Sequence, residues 1–307
     1  MAASTARPGT RPMIRGLLID LSGTLHIGTN PTPSAVKALQ RLRDAKIPFR
    51  FCSNTSKEST SSLTERLRGM GFDVHSDERG RELWTSIGAV TAALHKLGLR
   101  RPYYLLSDSA RQEIEAGLAP RDPGSQDAYD SVVIGHDPRS FDYTHLNEAF
   151  RLLTGEEGKA VSVPGAARPP RARLIATHKA KYIEGTSPPG LSLGPGPFVT
   201  ALEYASGAQA HVVGKPSPEF FQMVIDDMGP SENSDGAIAV VGDDVDADLG
   251  EGAVQLGLWR VLVKTGKYRS GDEHKAGAVP PDEVADSFAD FVKSLLAHNN
   301  PKGLQGD

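Results

Sequence analysis

The sequence predicts an α/β protein, a doubly wound, Rossmann-like parallel sheet with a second α/β domain inserted into it. Three observations carry this. Short apolar runs alternate with helical-period segments across residues 14–71, and a βαβα order implies a parallel sheet with helices on both faces. Dense Pro/Gly stretches then break the alternation in the middle of the chain. The same alternation resumes near residue 210.

The elements follow in order. Residues 1–13 carry Arg7 and Arg11 but no acid, with Pro8 and Pro12 among them, and are expected to be a disordered tail rather than a targeting segment. The run Gly16-Leu17-Leu18-Ile19 reads as a buried strand ending at Asp20, with Ser22-Gly23-Thr24 as a tight turn. Val36, Leu39 and Leu42 lie at helical spacing within 32–46. Ile47 to Cys52 reads as the next strand, ending at Ser53-Asn54-Thr55. Leu63, Leu67 and Met70 share a helix face, and Gly71 is a stop signal.

Three apolar runs follow in the middle of the chain, at 103–106, 131–134 and 173–176, separated by segments read as loops, notably 119–125, 155–170 and 185–197. Beyond them, Ala210–Val213 leads to Gly214-Lys215-Pro216, and a helix carries Phe220, Phe221 and Val224. Ala237–Val241 leads to Gly242-Asp243-Asp244, and Val261–Val263 leads to Lys264-Thr265-Gly266. The expected division is a discontinuous core, 1–80 with 211–307, around an inserted domain, 81–210.

Composition narrows the function. The 307-residue chain has a formal net charge of −4 and a pI near 6.2, which excludes nucleic acid and anionic membrane as main partners. No apolar run approaches the ~20 residues that span a bilayer. Cys52 is the only cysteine, so an intrachain disulfide is impossible; it lies in an apolar run and reads as a core residue. A reducing, cytoplasmic location is the expectation.

Asp20, Ser53, Lys215 and Asp243 each follow an apolar run at or near its carboxyl end. In a doubly wound sheet those ends converge on one crevice. Two carboxylates, a hydroxyl and an ammonium are the parts that metal-assisted phosphoryl transfer needs, and Mg²⁺ prefers such oxygen ligands. A solvated acidic loop is the plainer reading of Asp243, Asp244, Asp246 and Asp248, but Asp243 directly follows a buried strand.

These residues resemble the motifs of the haloacid dehalogenase superfamily of phosphatases. Asp20-x-x-Gly23-Thr24, a strand ending Ser53-Asn54, a distant Gly214-Lys215-Pro216, and Gly242-Asp243-Asp244 with Asp248 appear in the superfamily's order. The resemblance implies that Asp20 is a nucleophile forming an aspartyl-phosphate. It implies that Asp20, Asp243, Asp248 and the backbone carbonyl of Ser22 hold Mg²⁺. Ser53, Asn54 and Thr55 would bind phosphoryl oxygens, and Lys215 would neutralise Asp20 and the transferring group. The insert would be a C2-type cap, with His178 and Lys179 on a substrate-facing loop, closing over a small phosphorylated substrate. Relatives with such caps often pair through them, so a homodimer is possible by analogy.

Ser22 departs from the superfamily pattern, which has a second Asp there. A hydroxyl is a poor proton carrier near pH 7, and losing such catalysis costs about 10²–10⁴ in rate. Two readings result: a phosphatase favouring good leaving groups, or a phospho-ligand-binding or interaction protein with weak or no turnover. A phosphoacceptor receiver domain would be far shorter. A dehydrogenase would need Gly-x-Gly-x-x-Gly after the first strand, where Gly23 stands alone. Dehalogenase chemistry would not require the Asp243 loop.

Overall fold

The computed structural model describes residues 10–77, 80–119, 128–156, 171–186, 189–229 and 236–299. Most of the expected tail and of the loops 119–125 and 155–170 lies outside the described residues. The chain divides into two compact units. The first runs to Ser53, takes up Thr64–Trp84, and continues from Lys215 on. The second comprises Asn54–Leu63 and Thr85–Gly214.

The first unit is built on a six-stranded sheet, in the order Glu283–Ala285, Trp259–Val263, Ala237–Gly242, Ile14–Asp20, Phe49–Ser53, Leu83–Thr85. The Ile14–Asp20 strand pairs in parallel with Ala237–Gly242 on one side and Phe49–Ser53 on the other. Trp259–Val263 and Glu283–Ala285 extend the sheet, also in parallel. Numbered along the chain, the order is 6-5-4-1-2-3, the doubly wound arrangement. The winding reverses between the strands ending at Asp20 and Gly242, and crevices open at such reversals.

Continuous apolar runs are what a sheet covered on both faces requires. Leu17, Leu18, Ile19, Val240, Val241 and Val261–Val263 are all fully buried. The helices confirm the periodicity. Ala35–Asp44 buries Ala35, Ala38, Leu39 and Leu42, and Pro218–Met228 buries Phe220, Phe221 and Val224. Phe288–Asn299 buries Phe288, Phe291, Val292 and Leu295, each contributing about 1.5–3 kcal/mol by leaving water.

The second unit has its own four-stranded parallel sheet, in the order His211–Val212, Arg173–Ala176, Ser131–Ile134, Pro102–Leu105. Its core gathers Leu105, Val132, Ile134, Leu152, Leu174, Val199 and Leu202. Two findings differ from the sequence reading. The His211–Val212 strand pairs with Arg173–Ala176, so contacts divide the chain at Gly214/Lys215 rather than at 211. An apolar run announces a strand but not its partner. The segment 185–197 is also no loop: Tyr182–Thr186 and Pro189–Leu193 form an antiparallel ribbon, and Gly196–Ser206 is a helix. Gly196 serves close packing here, because a Cβ on it would press on the carbonyl oxygens of Lys179 and Ala180. Among the described residues no helix is long and apolar enough to cross a membrane.

Candidate active site

Asp20 is the last residue of its strand, and the backbone then turns sharply through Gly23 at φ +99. A side chain at Gly23 would collide with the Asp243 carboxylate, so glycine is required by φ and by space together. The turn leaves Asp20 only 8% exposed. Its Oδ2 accepts the Thr24 hydroxyl at 3.1 Å, and its Oδ1 accepts the Lys215 ammonium at 2.5 Å.

Lys215 is the first residue of the first unit after the long insertion, and only 1% of it is exposed. It also donates to Asp248 Oδ1 at 2.8 Å. The ammonium thus bridges two buried carboxylates. Burial works against that charge, but the Asp20 and Asp248 carboxylates outweigh it and hold its pKa above the ordinary lysine value.

The Ala237–Gly242 strand delivers Asp243 into the same space. Oδ2 of Asp243 accepts the backbone N–H of Lys267 at 2.6 Å. Its Oδ1 is buried and has no hydrogen-bond partner among the described residues. Asp248 is drawn back by a turn in which its Oδ2 accepts the Asp244 N–H at 3.2 Å. Burial, then the neighbouring Asp20 and Asp248 charges, raises the Asp243 pKa well above the carboxylate range. Burial and Asp20 push Asp248 up to about 6. Asp244 goes the other way: burial is outweighed by Lys267 and by the Ala247 and Asp246 N–H groups, so it stays ionised.

One oxygen each from Asp20, Asp243 and Asp248 lies within 4.8 Å of the others. Three buried carboxylates gathered this closely, with Oδ1 of Asp243 orphaned, make an arrangement a hard divalent cation would stabilise. The all-oxygen donor set fits Mg²⁺.

The sequence-predicted residues divide between the units. Asp20, Lys215, Asp243 and Asp248 come together. Ser53 is buried at the end of the adjacent strand, whose Cys52 is in register with Asp20. Ser22 is exposed, bridged to His26 in the turn. Asn54, Thr55, His178 and Lys179 belong to the second unit. There the Ser86 hydroxyl donates to the Thr55 carbonyl at 2.8 Å, and His178 Nδ1 accepts the Ala180 N–H at 3.3 Å. Lys179 pairs with Glu203 at 2.7 Å. Cys52 is buried, and burial pushes its thiol up to about 12, as befits a core residue.

Sequence reasoning missed Lys267 and the hydroxyl of Thr24. Thr24 stood within the opening motif. Lys267 lies in the loop beyond Lys264-Thr265-Gly266 rather than at the end of the Trp259–Val263 strand, and its contact with Asp243 is made by a backbone N–H.

Comparison with known proteins agrees with this geometry. Residues 17–117 match the family model for haloacid dehalogenase-like hydrolases, and residues 212–291 match one described as HAD-hydrolase-like. The chain is 42% identical over 287 residues to the human haloacid dehalogenase-like hydrolase domain-containing protein 2, covering 93% of this chain and 97% of that one. It is 35% identical to the human phospholysine phosphohistidine inorganic pyrophosphate phosphatase, covering 93% and 95%. Among solved structures, a 4-nitrophenylphosphatase from Thermotoga maritima aligns with a TM-score of 0.74 at 25% identity, covering 92% of this chain and 98% of that one. With strand order, acidic cluster and sequence in agreement, this chain belongs to the haloacid dehalogenase-like hydrolase family.

Proposed function

We propose that this hydrolase is a Mg²⁺-dependent phosphatase that acts on a small phosphorylated substrate through an aspartyl-phosphate on Asp20. The carrying observation is the position of Asp20: buried, oriented by Thr24, and bonded to Lys215, which Asp248 anchors from the other side. A carboxylate held this way is a nucleophile with its counter-charge already in place.

Asp20, Asp243 and Asp248, with the backbone carbonyl of Ser22, would hold Mg²⁺. Bound there, the ion supplies positive charge to the phosphoryl oxygens. An oxygen of Asp20 attacks phosphorus as the bond to the leaving group breaks. Lys215 neutralises the charge gathered on Asp20 and the phosphoryl group, and Ser53 donates to a phosphoryl oxygen. Water then attacks phosphorus, releasing orthophosphate and restoring the Asp20 carboxylate.

Ser22 sets the preference. An exposed hydroxyl at that position provides no proton for a departing alkoxide. Leaving groups that depart with little protonation avoid that step, which favours aryl phosphates, phosphoamides and pyrophosphate over alkyl esters. The names of a phospholysine phosphohistidine inorganic pyrophosphate phosphatase and a 4-nitrophenylphosphatase among its relatives are in keeping with this.

The test is phosphate release with Mg²⁺ from para-nitrophenyl phosphate, phosphoramidate, pyrophosphate and a sugar phosphate, with Asp20→Asn as the blank. The first three are expected to turn over faster than the alkyl ester, and Ser22→Asp is expected to narrow the gap. Absence of release from all four, together with no beryllofluoride adduct on Asp20, overturns the reading and leaves a phospho-ligand binder.

A further inference from the structure

Four carboxylates gather at the end of the first unit's sheet, and two ammoniums answer them. Asp20, Asp243, Asp244 and Asp248 against Lys215 and Lys267 leave a formal charge of −2, the charge that one divalent cation neutralises. The two lysines are not equivalent. Lys215 bonds directly to two members of the triad. Lys267 reaches the cluster through two different groups. Its backbone N–H donates to Asp243 Oδ2 at 2.6 Å, while Asp243 Oδ1 has no hydrogen-bond partner among the described residues. Its ammonium pairs with Asp244 Oδ2 at 3.2 Å.

Asp244 is not placed to join the triad. Its Oδ1 accepts the N–H groups of Asp246 and Ala247, both at 3.0 Å, and these bonds shape the loop that carries Asp248. Asp244 and Lys267 are both largely buried, with side chains 16% and 19% exposed, so their charges are weakly screened.

We propose that Lys267 is an internal counter-ion that sets the Mg²⁺ affinity of the triad. Its ammonium offsets the acidic cluster in the metal-free protein and opposes a divalent cation entering it. Lys267 is thus a positioning and affinity-setting residue, acting through Asp244 and the cluster's summed charge. The inference rests on reading Asp20, Asp243 and Asp248 as a Mg²⁺ site.

Lys275 is the matched control. It pairs with Asp246 at 2.6 Å from the same part of the chain, but its side chain is 35% exposed and Asp246 51% exposed, so solvent screens the pair.

The test is calorimetric titration of the chelator-treated full chain with MgCl₂ alone. Lys267→Met keeps the backbone N–H and removes the ammonium. It is expected to bind Mg²⁺ about tenfold more tightly, because a like charge has left a poorly screened site. Its metal-free melting temperature should fall, with the deficit closing as Mg²⁺ is added. Lys267→Arg and Lys275→Met should retain the wild-type constant. Should Lys267→Met not fold, Asp244→Asn is expected to weaken Mg²⁺ binding, and the double variant to restore it. An unchanged or weaker constant in folded Lys267→Met, or an unchanged one in Asp244→Asn, overturns this inference alone. A wild type that takes up no Mg²⁺ overturns the metal-site reading as well.

Discussion

Replacing Lys215 by Met asks how far the cluster depends on one ammonium. Methionine matches the lysine stem in length and is fully compatible with a site that leaves 1% of the residue exposed. The substitution therefore removes charge without opening a large cavity. What remains is two carboxylates, 10% and 4% exposed at their side chains, that have lost their shared partner. Removing one partner of a buried ion pair costs about 3–5 kcal/mol, a large share of the roughly 5–15 kcal/mol that holds a domain folded. With a urea slope near 3 kcal/mol/M, the midpoint at pH 7.5 without Mg²⁺ should fall by about 1–1.7 M. The loss should shrink at pH 5.5, because a carboxylate that titrates near 6 even beside the lysine takes up a proton there. Phosphate release should fall on the order of 10²–10³ with the loss of this charge stabilisation. A midpoint at pH 7.5 within about 0.3 M of wild type, with coincident unfolding by fluorescence and circular dichroism, would refute the electrostatic account of the cluster.

Two further outcomes follow from the same geometry. Asp243 and Asp248 have folded-state pKa values raised above their ordinary ones, so the native state binds more protons than the unfolded state between about pH 4 and 6. Metal-free protein should therefore gain stability from these two groups as pH falls through 6 toward 4. Saturating Mg²⁺ should flatten that dependence, and Mg²⁺ affinity should itself drop through the same window; melting curves against pH with and without the ion check this. Gly23→Ala places a Cβ against the Asp243 carboxylate at a φ of +99. It should cost about 1–3 kcal/mol in backbone strain and, by displacing Asp243, lower the affinity measured by Mg²⁺ titration more than it lowers the melting temperature.

Much of this was legible in the sequence because buried parallel strands are short and apolar, and the polar residue that ends one is conspicuous. Asp20 and Asp243 stand out against Leu17–Ile19 and Val240-Val241 for that reason. The edge strands were not legible. Leu83–Thr85 is three residues long, and Glu283–Ala285 has a half-buried, mixed pattern. Sheet membership was not legible either, since His211-Val212 looks like any other apolar run until its partner is known. The ribbon at 182–193 hid behind glycines and prolines, which mark turns in most settings. Lys267 escaped because an unspecific backbone N–H makes its closest contact with the triad, and any residue but proline carries one.

The strand order has a consequence for how the chain is made. Asp20 and Lys215 lie 195 residues apart, and the strand that completes the pairing of Ile14–Asp20 comes later still. At a synthesis rate of about 5–20 residues per second, the first strand waits about 10–40 s for Lys215 to be added. During that wait Leu17, Leu18 and Ile19 have one open sheet edge, and such an edge invites pairing with other chains. The second unit, most of it contiguous from Thr85 to Gly214 and the rest of it the earlier Asn54–Leu63, has all of its segments on hand once Gly214 has been added. Nascent chains stalled before residue 237 should thus carry a folded middle and a sticky beginning, so the segment that ends in Asp20 is also the one most in need of a chaperone.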